Sequence, residues 1–189
     1  MPLWGIIAIV IGVILLLAII SIYNNLVQLR NRVQNGWAQI DVTLKQRADL
    51  VPNLVSTVKG YAAHESGVFE AVTKARSNAV DAANNPHTTP EQRAQAENAL
   101  SQALVNLRAV AEAYPELKAN QNFMDLQNQL SQLEERIAYA RQFYNDVVLK
   151  YNNAIAIVPN NIVAGLCHFE SEQYFQVDQA DRAVPQVQF

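Results

Sequence analysis

A single cysteine, Cys167, among 189 residues has no partner within the chain, so no disulfide framework holds this protein together. Its expected place is that of a small buried apolar residue. Charge is scarce as well: only 16% of residues are Asp, Glu, Lys or Arg. The first charged side chain is Arg30, and no basic cluster exceeds Arg-Asn-Arg at 30–32. With a net charge of -3, this argues against a surface that neutralises nucleic-acid phosphates. Catalytic signatures are missing too. His64-Glu65 continues as Ser66-Gly67-Val68 instead of the HExxH zinc helix, while His87 and His168 stand far off in sequence, so no metal or cofactor is expected. There is no phosphate-cradling glycine loop and no G-x-S-x-G elbow. Glu65 and Glu134 would make an acid/base pair only with a nucleophile and a cleft. Neither is signalled, and both read as structural or surface groups. No enzymatic activity, small-molecule substrate or nucleic-acid partner follows from these residues. No segment before the tail alternates with the two-residue period of a strand.

Apolar residues, by contrast, are concentrated. From Leu3 to Ile20 there are eighteen in succession, about 27 Å of helix at the standard rise, close to the thickness of a bilayer's hydrocarbon core. A cleaved signal peptide is the alternative. It would need a basic leader and a small-residue cleavage site, and MPLWG and SIYNNL provide neither. Residues 1–23 are therefore expected to be a single-pass anchor, with Trp4 and Tyr23 at the two interfaces. Arg30, Arg32, Lys45 and Arg47 all follow the span. The positive-inside bias then puts the rest of the chain in the cytoplasm and the N-terminus outside.

Beyond the anchor the chain is written in heptads. Leu26, Val33, Trp37, Ile40, Leu44, Val51, Leu54, Val58 and Tyr61 form one stripe, continued in phase by Val68, Val72, Ala75 and Ala79. A second comprises Ala96, Leu100, Ala103, Leu107, Val110 and Tyr114. The third runs Phe123, Leu126, Leu130, Leu133, Ile137, Ala140, Tyr144, Val147, Tyr151, Ala154, Val158. Such repeats make long helices that pack at shallow, coiled-coil-like angles. Thr89, Pro90 and Gln92 read as cap, first-turn proline and capping-box partner. Pro115 and Pro159 end or kink the helices before them. The expected fold is all-α: a transmembrane helix, then over residues 24–158 an antiparallel four-helix bundle with helices near 22–62, 66–83, 90–113 and 116–158. A long kinked hairpin without reversal near Gly60–Gly67 is the alternative.

Two residues break the first stripe's pattern. Pro52 cannot donate to the Ala48 carbonyl, so the helix should bend or open there. Arg47 occupies a seam position and must be paired or reach water. The antiparallel register places it near Ile137, a turn from Glu134, and brings Asp49 within reach of Arg136 or Arg141. Tyr-Asn recurs at 23, 144 and 151, the last two a heptad apart. These pairs read either as a polar ladder for head groups or a partner helix, or as core tyrosines with hydroxyls at the rim and solvated asparagines. The tail, 159–189, carries Ile162, Val163, Leu166, Phe169, Tyr174, Phe175, Val187 and Phe189. These need burial on this chain's helices or on a neighbouring copy's, and the expectation is an intersubunit contact in a homo-oligomer.

The chain resembles the LemA family of bacterial membrane proteins. The likeness is carried by IYNNLVQLRNRVQNGWAQIDVTLKQRADLVPNLVSTVKGYAAHE, by YPELKANQNFMDLQNQLSQLEERIAYARQFYNDVVLKYN and by IVPNNIVAG, in that order. The family pattern falls on Arg47, Asp49, Pro52 and Asn53 in the first helix, and on Glu134, Arg141, Tyr144, Asn145, Tyr151 and Asn152 in the last. The resemblance implies a bacterial cell-membrane protein with an N-terminal membrane helix, an antiparallel four-helix bundle and no established enzymatic activity. Relatives are associated with magnetosome membranes and with heat-shock-type membrane proteases. The expected function is a membrane-anchored scaffold that self-associates or organises partner membrane proteins. The alternative is an accessory or regulatory subunit of a membrane enzyme such as a protease. Cys167 and His168 stand where relatives usually have apolar residues or glycine, and no function attaches to them.

Overall fold

The computed structural model describes residues 3–175, which are helical with no strand among them. In order they form α1 (Leu3–Lys59), α2 (Ser66–Asn84), α3 (Pro90–Glu112), α4 (Pro115–Lys118), α5 (Gln121–Ala156) and α6 (Asn160–Leu166). These residues divide into two compact units, to both of which α1 and α5 contribute. One comprises α1 through Trp37 together with Phe143–Gln173. The other comprises Ala38–Gln142 with Tyr174 and Phe175.

The second unit is a bundle of the four long helices. Leu54 and Val58 of α1, Phe69 and Val72 of α2, Leu100 and Leu107 of α3, and Phe123 of α5 share one core, with Leu117 of α4 buried beside them. Each such side chain stabilises the fold by about 1.5–3 kcal/mol on leaving water. The chain does reverse after α1: Gly60, Tyr61 and Ala62 close the helix with bonds to Ser56 and Val58 carbonyls, and α2 returns so that Arg76 meets the backbone at Ala48. The long-hairpin alternative is thereby removed. At the start of α3, Thr89 accepts from the Gln92 amide and Gln92 accepts from the Thr89 amide, completing the capping box.

One helix boundary differs from expectation. The helix foreseen over 116–158 is split, because Asn120 Oδ1 accepts the Phe123 amide at 3.0 Å while its amide donates to the Tyr61 hydroxyl. The side chain caps a new helix at Gln121 instead of continuing the old one.

In the first unit, α1 and α5 run antiparallel and close. A methyl group added at Gly36 would lie 3.4 Å from the Tyr144 Cα and from Val147 Cγ2, and Trp37 packs on the Tyr144 ring at 5.4 Å. Leu26 and Val33 of α1 and Val148, Tyr151 and Ala154 of α5 are buried. Val158, counted in the third stripe, is 76% exposed, because α5 has ended at Ala156. After α6, His168 adopts φ 54°. The Phe169 amide then bonds to Ala164 and the His168 amide to Gly165, the double closure usually made with glycine in the left-handed position. Cys167, expected to be buried, is exposed at this turn. Phe169 is buried, edge-on to Tyr23 at 5.8 Å and beneath the Arg30 guanidinium at 5.2 Å.

Residues 3–20 are almost wholly exposed, Trp4 at 81% among them. They make the N-terminal part of α1 long and apolar enough to cross a membrane.

Candidate functional site

Arg47 is fully buried, and four groups meet its terminal nitrogens. Nη1 donates to Glu134 Oε1 and to Ser101 Oγ, each at 2.8 Å; Nη2 donates to Glu97 Oε2 at 2.7 Å and to the Glu97 carbonyl at 3.1 Å. Glu97, 2% exposed, also accepts from Arg93 Nε at 3.2 Å. Arg93 Nη2 in turn lies 3.2 Å from Asp41 Oδ1. The resulting order, Asp41, Arg93, Glu97, Arg47, Glu134, alternates in sign across α1, α3 and α5. Its middle is dry, while the Asp41 and Glu134 side chains are about half exposed. Burial holds the Asp41 carboxyl above the usual range; Arg93 opposes this and Glu97 adds to it. Sliding α3 by one turn would carry Glu97 away from the buried Arg47 and Arg93 away from Asp41, so the cluster favours one alignment of α3 on α1.

The Arg47–Glu134 pairing matches the sequence reading, but that reading missed Glu97, Arg93, Asp41 and Ser101. The signal was available. Glu97 stands three residues before Leu100 and seven before Leu104, on the buried face of α3, so it breaks its stripe as Arg47 breaks that of α1.

Pro52 lies inside α1, which remains helical through it. The Ala48 carbonyl, denied its usual i+4 donor, accepts from Arg76 Nε at 2.6 Å. Asp49 and Asn53 are exposed and line a surface groove with Arg136. No ion pair joins Asp49 to Arg136 or Arg141 among the described residues; Asp49 is exposed, and the Arg141 guanidinium lies over the Phe175 ring at 4.9 Å.

Tyr144, Tyr151 and Asn152 hold the chain after α6. The hydroxyls of Tyr151 and Tyr144 donate to the carbonyls of Glu170 and Gln173, each at 2.9 Å. Asn152 donates to the Glu172 carbonyl and accepts the Glu172 amide, both at 2.9 Å. Asn145 is half-buried next to Tyr144. Burial, with Glu172 adding to it, pushes the Tyr144 hydroxyl up to about 12, and Tyr151 is raised for the same leading reason. Both therefore stay protonated and able to donate. The Tyr-Asn ladder exists, and what it grips is this chain's own segment, with Asn152 bonded to backbone where a solvated side chain was one reading. Through Phe175 the tail is folded on its own helices, with Val163, Phe169 and Phe175 buried while Ile162 and Leu166 remain exposed. Val187 and Phe189 lie outside the described residues.

Glu65 and Glu134 do not come together: Glu65 stands 3.5 Å from the Tyr114 hydroxyl while Glu134 is bound to Arg47. Among the described residues, no three His, Cys, Asp or Glu side chains converge as metal ligands.

The fold and these contacts define an all-α protein with one apolar N-terminal helix, whose shared polar residues join helices and tail to one another. The LemA family model matches residues 36–189, and the chain belongs to the LemA family. It is 26% identical over 175 residues to Magnetosome protein MamQ 2 of Paramagnetospirillum magneticum, covering 82% of this chain and 64% of the relative. It is 25% identical over 174 residues to Magnetosome protein MamQ of Magnetospirillum gryphiswaldense, covering 81% and 64%. With Protein LemA of Metamycoplasma hominis it shares 23% identity over 159 residues, covering 84% and 71%. The chain thus spans less than two thirds of the length of these magnetosome relatives.

Proposed function

We propose that this protein is a single-pass membrane scaffold, without catalytic activity, that self-associates or organises other membrane proteins from a cytoplasmic helical bundle. The observation that carries it is the continuity of α1, in which the exposed apolar residues 3–20 and the buried bundle residues Leu44 to Val58 belong to one helix. A helix of that kind fixes a folded body to a bilayer. Relatives named for the magnetosome support a structural task in a membrane assembly. Arg47, Glu134, Tyr144, Tyr151 and Asn152 support a non-catalytic reading, since each is bonded within the chain. Orientation rests on Arg30 and Arg32 following the span.

Mass photometry of the detergent-solubilised protein, purified without partners, tests the scaffold. A discrete homo-oligomer is expected. A monomer at every concentration would instead favour an accessory subunit that acts only when bound to a membrane enzyme.

A further inference from the structure

The first unit carries a long stretch without charge. Between Lys150 and Glu170 no Asp, Glu, Lys or Arg occurs, and none precedes Arg30. The end of α5, the turn at 157–159 and the whole of α6 fall within that uncharged stretch. Apolar side chains stand in solvent there: Ile162 is 60% and Leu166 78% exposed, Ile157 and Val158 are exposed too, and Val163 and Ala164 form the buried side of α6. Ile162 and Leu166, four residues apart, share one face of that helix. Apolar side chains of that size, grouped on a folded surface, mark a place where something docks.

The height at which they lie indicates what covers them. Gly36 of α1 abuts Tyr144 of α5. Thirteen residues back along α1 stands Tyr23, and thirteen onward along the antiparallel α5 stands Ile157, whose amide still bonds to the Asn153 carbonyl. Equal rise puts the two at one height. Phe169, which closes α6, packs on the Tyr23 ring at 5.8 Å. The chain from Ile157 to Phe169 therefore leaves and returns at the level of Tyr23, three residues or about 4.5 Å of helix from Ile20, the last of the apolar run. The exposed apolar surface of α1 thus continues onto α6. A surface at that depth meets the boundary between head groups and acyl chains, where apolar side chains gain by leaving water and a charge is penalised.

We propose that α6 and the turn before it form a second membrane contact, with Ile157, Val158, Ile162 and Leu166 set into the acyl-chain boundary of the leaflet beside Tyr23. The partner is the lipid surface itself, met through its hydrocarbon and not through a particular head group. With α1 and α6 both seated, the first unit is fixed against the bilayer at two points and cannot swing about α1 alone. The inference rests on residues 3–20 crossing the bilayer.

The test uses the full chain in lipid nanodiscs with a nitroxide attached at a single thiol. Its collision rates with oxygen, which gathers in hydrocarbon, and with a water-soluble nickel chelate report where the label lies. In a Cys167→Ser background, Ile162→Cys and Leu166→Cys are expected to show an oxygen-to-nickel ratio at least about threefold that of Lys150→Cys, an exposed position on α5. Ile14→Cys reads the anchor in the same discs. A low ratio at 162 and 166 beside a high one at 14 would overturn the second contact and leave the anchor standing, whereas a low ratio at all three would sink both. Labels at 162 and 166 shielded from both reagents would also overturn it and give the surface to a protein, such as a second copy of this chain. If a variant loses helical content, a label on the native Cys167, exposed at the close of α6, repeats the measurement in the unsubstituted chain.

Discussion

Glu97 is the residue on which the buried charges depend, since among the described residues it alone pairs with both Arg47 and Arg93. Glu97→Gln removes the carboxylate from between two dry guanidinium groups and should cost about 3–5 kcal/mol. Glu134→Gln removes a partner that is 43% exposed, and should cost about 1 kcal/mol or less. Urea unfolding of the two variants reads the difference; equal costs would mean that Arg47 is held by Glu134 and not by Glu97. Asp41 adds a pH dependence. Its folded carboxyl titrates above its ordinary value, so between those two values the unfolded chain has released a proton that the folded one keeps. Stability from this group is full below the ordinary value and falls as pH rises through the folded one. The stability of Asp41→Asn relative to the natural protein should therefore rise as pH climbs from below the ordinary aspartate value to neutrality, and urea midpoints along that course measure it. Arg47 announced the cluster because a charge in an apolar stripe needs a partner. The α1–α5 register supplied Glu134, but how α3 is rotated against them is not written in any local spacing, and Glu97 went unseen.

Helix punctuation was legible wherever one side chain acts on its own backbone, as Thr89 and Gln92 do at the start of α3. It was not legible where the partner comes from elsewhere. The break before α5 depends on Asn120 choosing the Phe123 amide, and asparagine in mid-helix carries no fixed meaning in sequence. Pro52 is the same case: the missing donor could be foreseen in α1, but its replacement by Arg76 of α2 could not. That replacement predicts coupling. Arg76→Ala should cost about 1–3 kcal/mol by leaving the Ala48 carbonyl without a donor. In a Pro52→Ala background it should cost distinctly less, because the restored amide at 52 can make the ordinary helical bond. A double-mutant cycle with additive effects would show that Arg76 does not substitute for the proline's missing hydrogen bond.

For the molecule as a whole, the heptads foretold an all-α chain and the apolar run foretold the exposed N-terminal part of α1. The tail was read as too apolar to be solvated, which its buried Phe169 and Phe175 bear out. What covers it could not be read from a segment without helical period. The partners turned out to be Tyr144, Tyr151 and Asn152, residues that the Tyr-Asn repeat had already singled out for a polar ladder.

Everything proposed for function rests on residues 3–20 remaining in the mature protein as its membrane anchor. Carbonate extraction of membranes, followed by mass analysis of the N-terminal peptide, tests this most directly. The account predicts that the protein stays with the membrane and that the peptide containing Trp4 is present. Release into the soluble fraction with a mature N-terminus near residues 21–26 would contradict it.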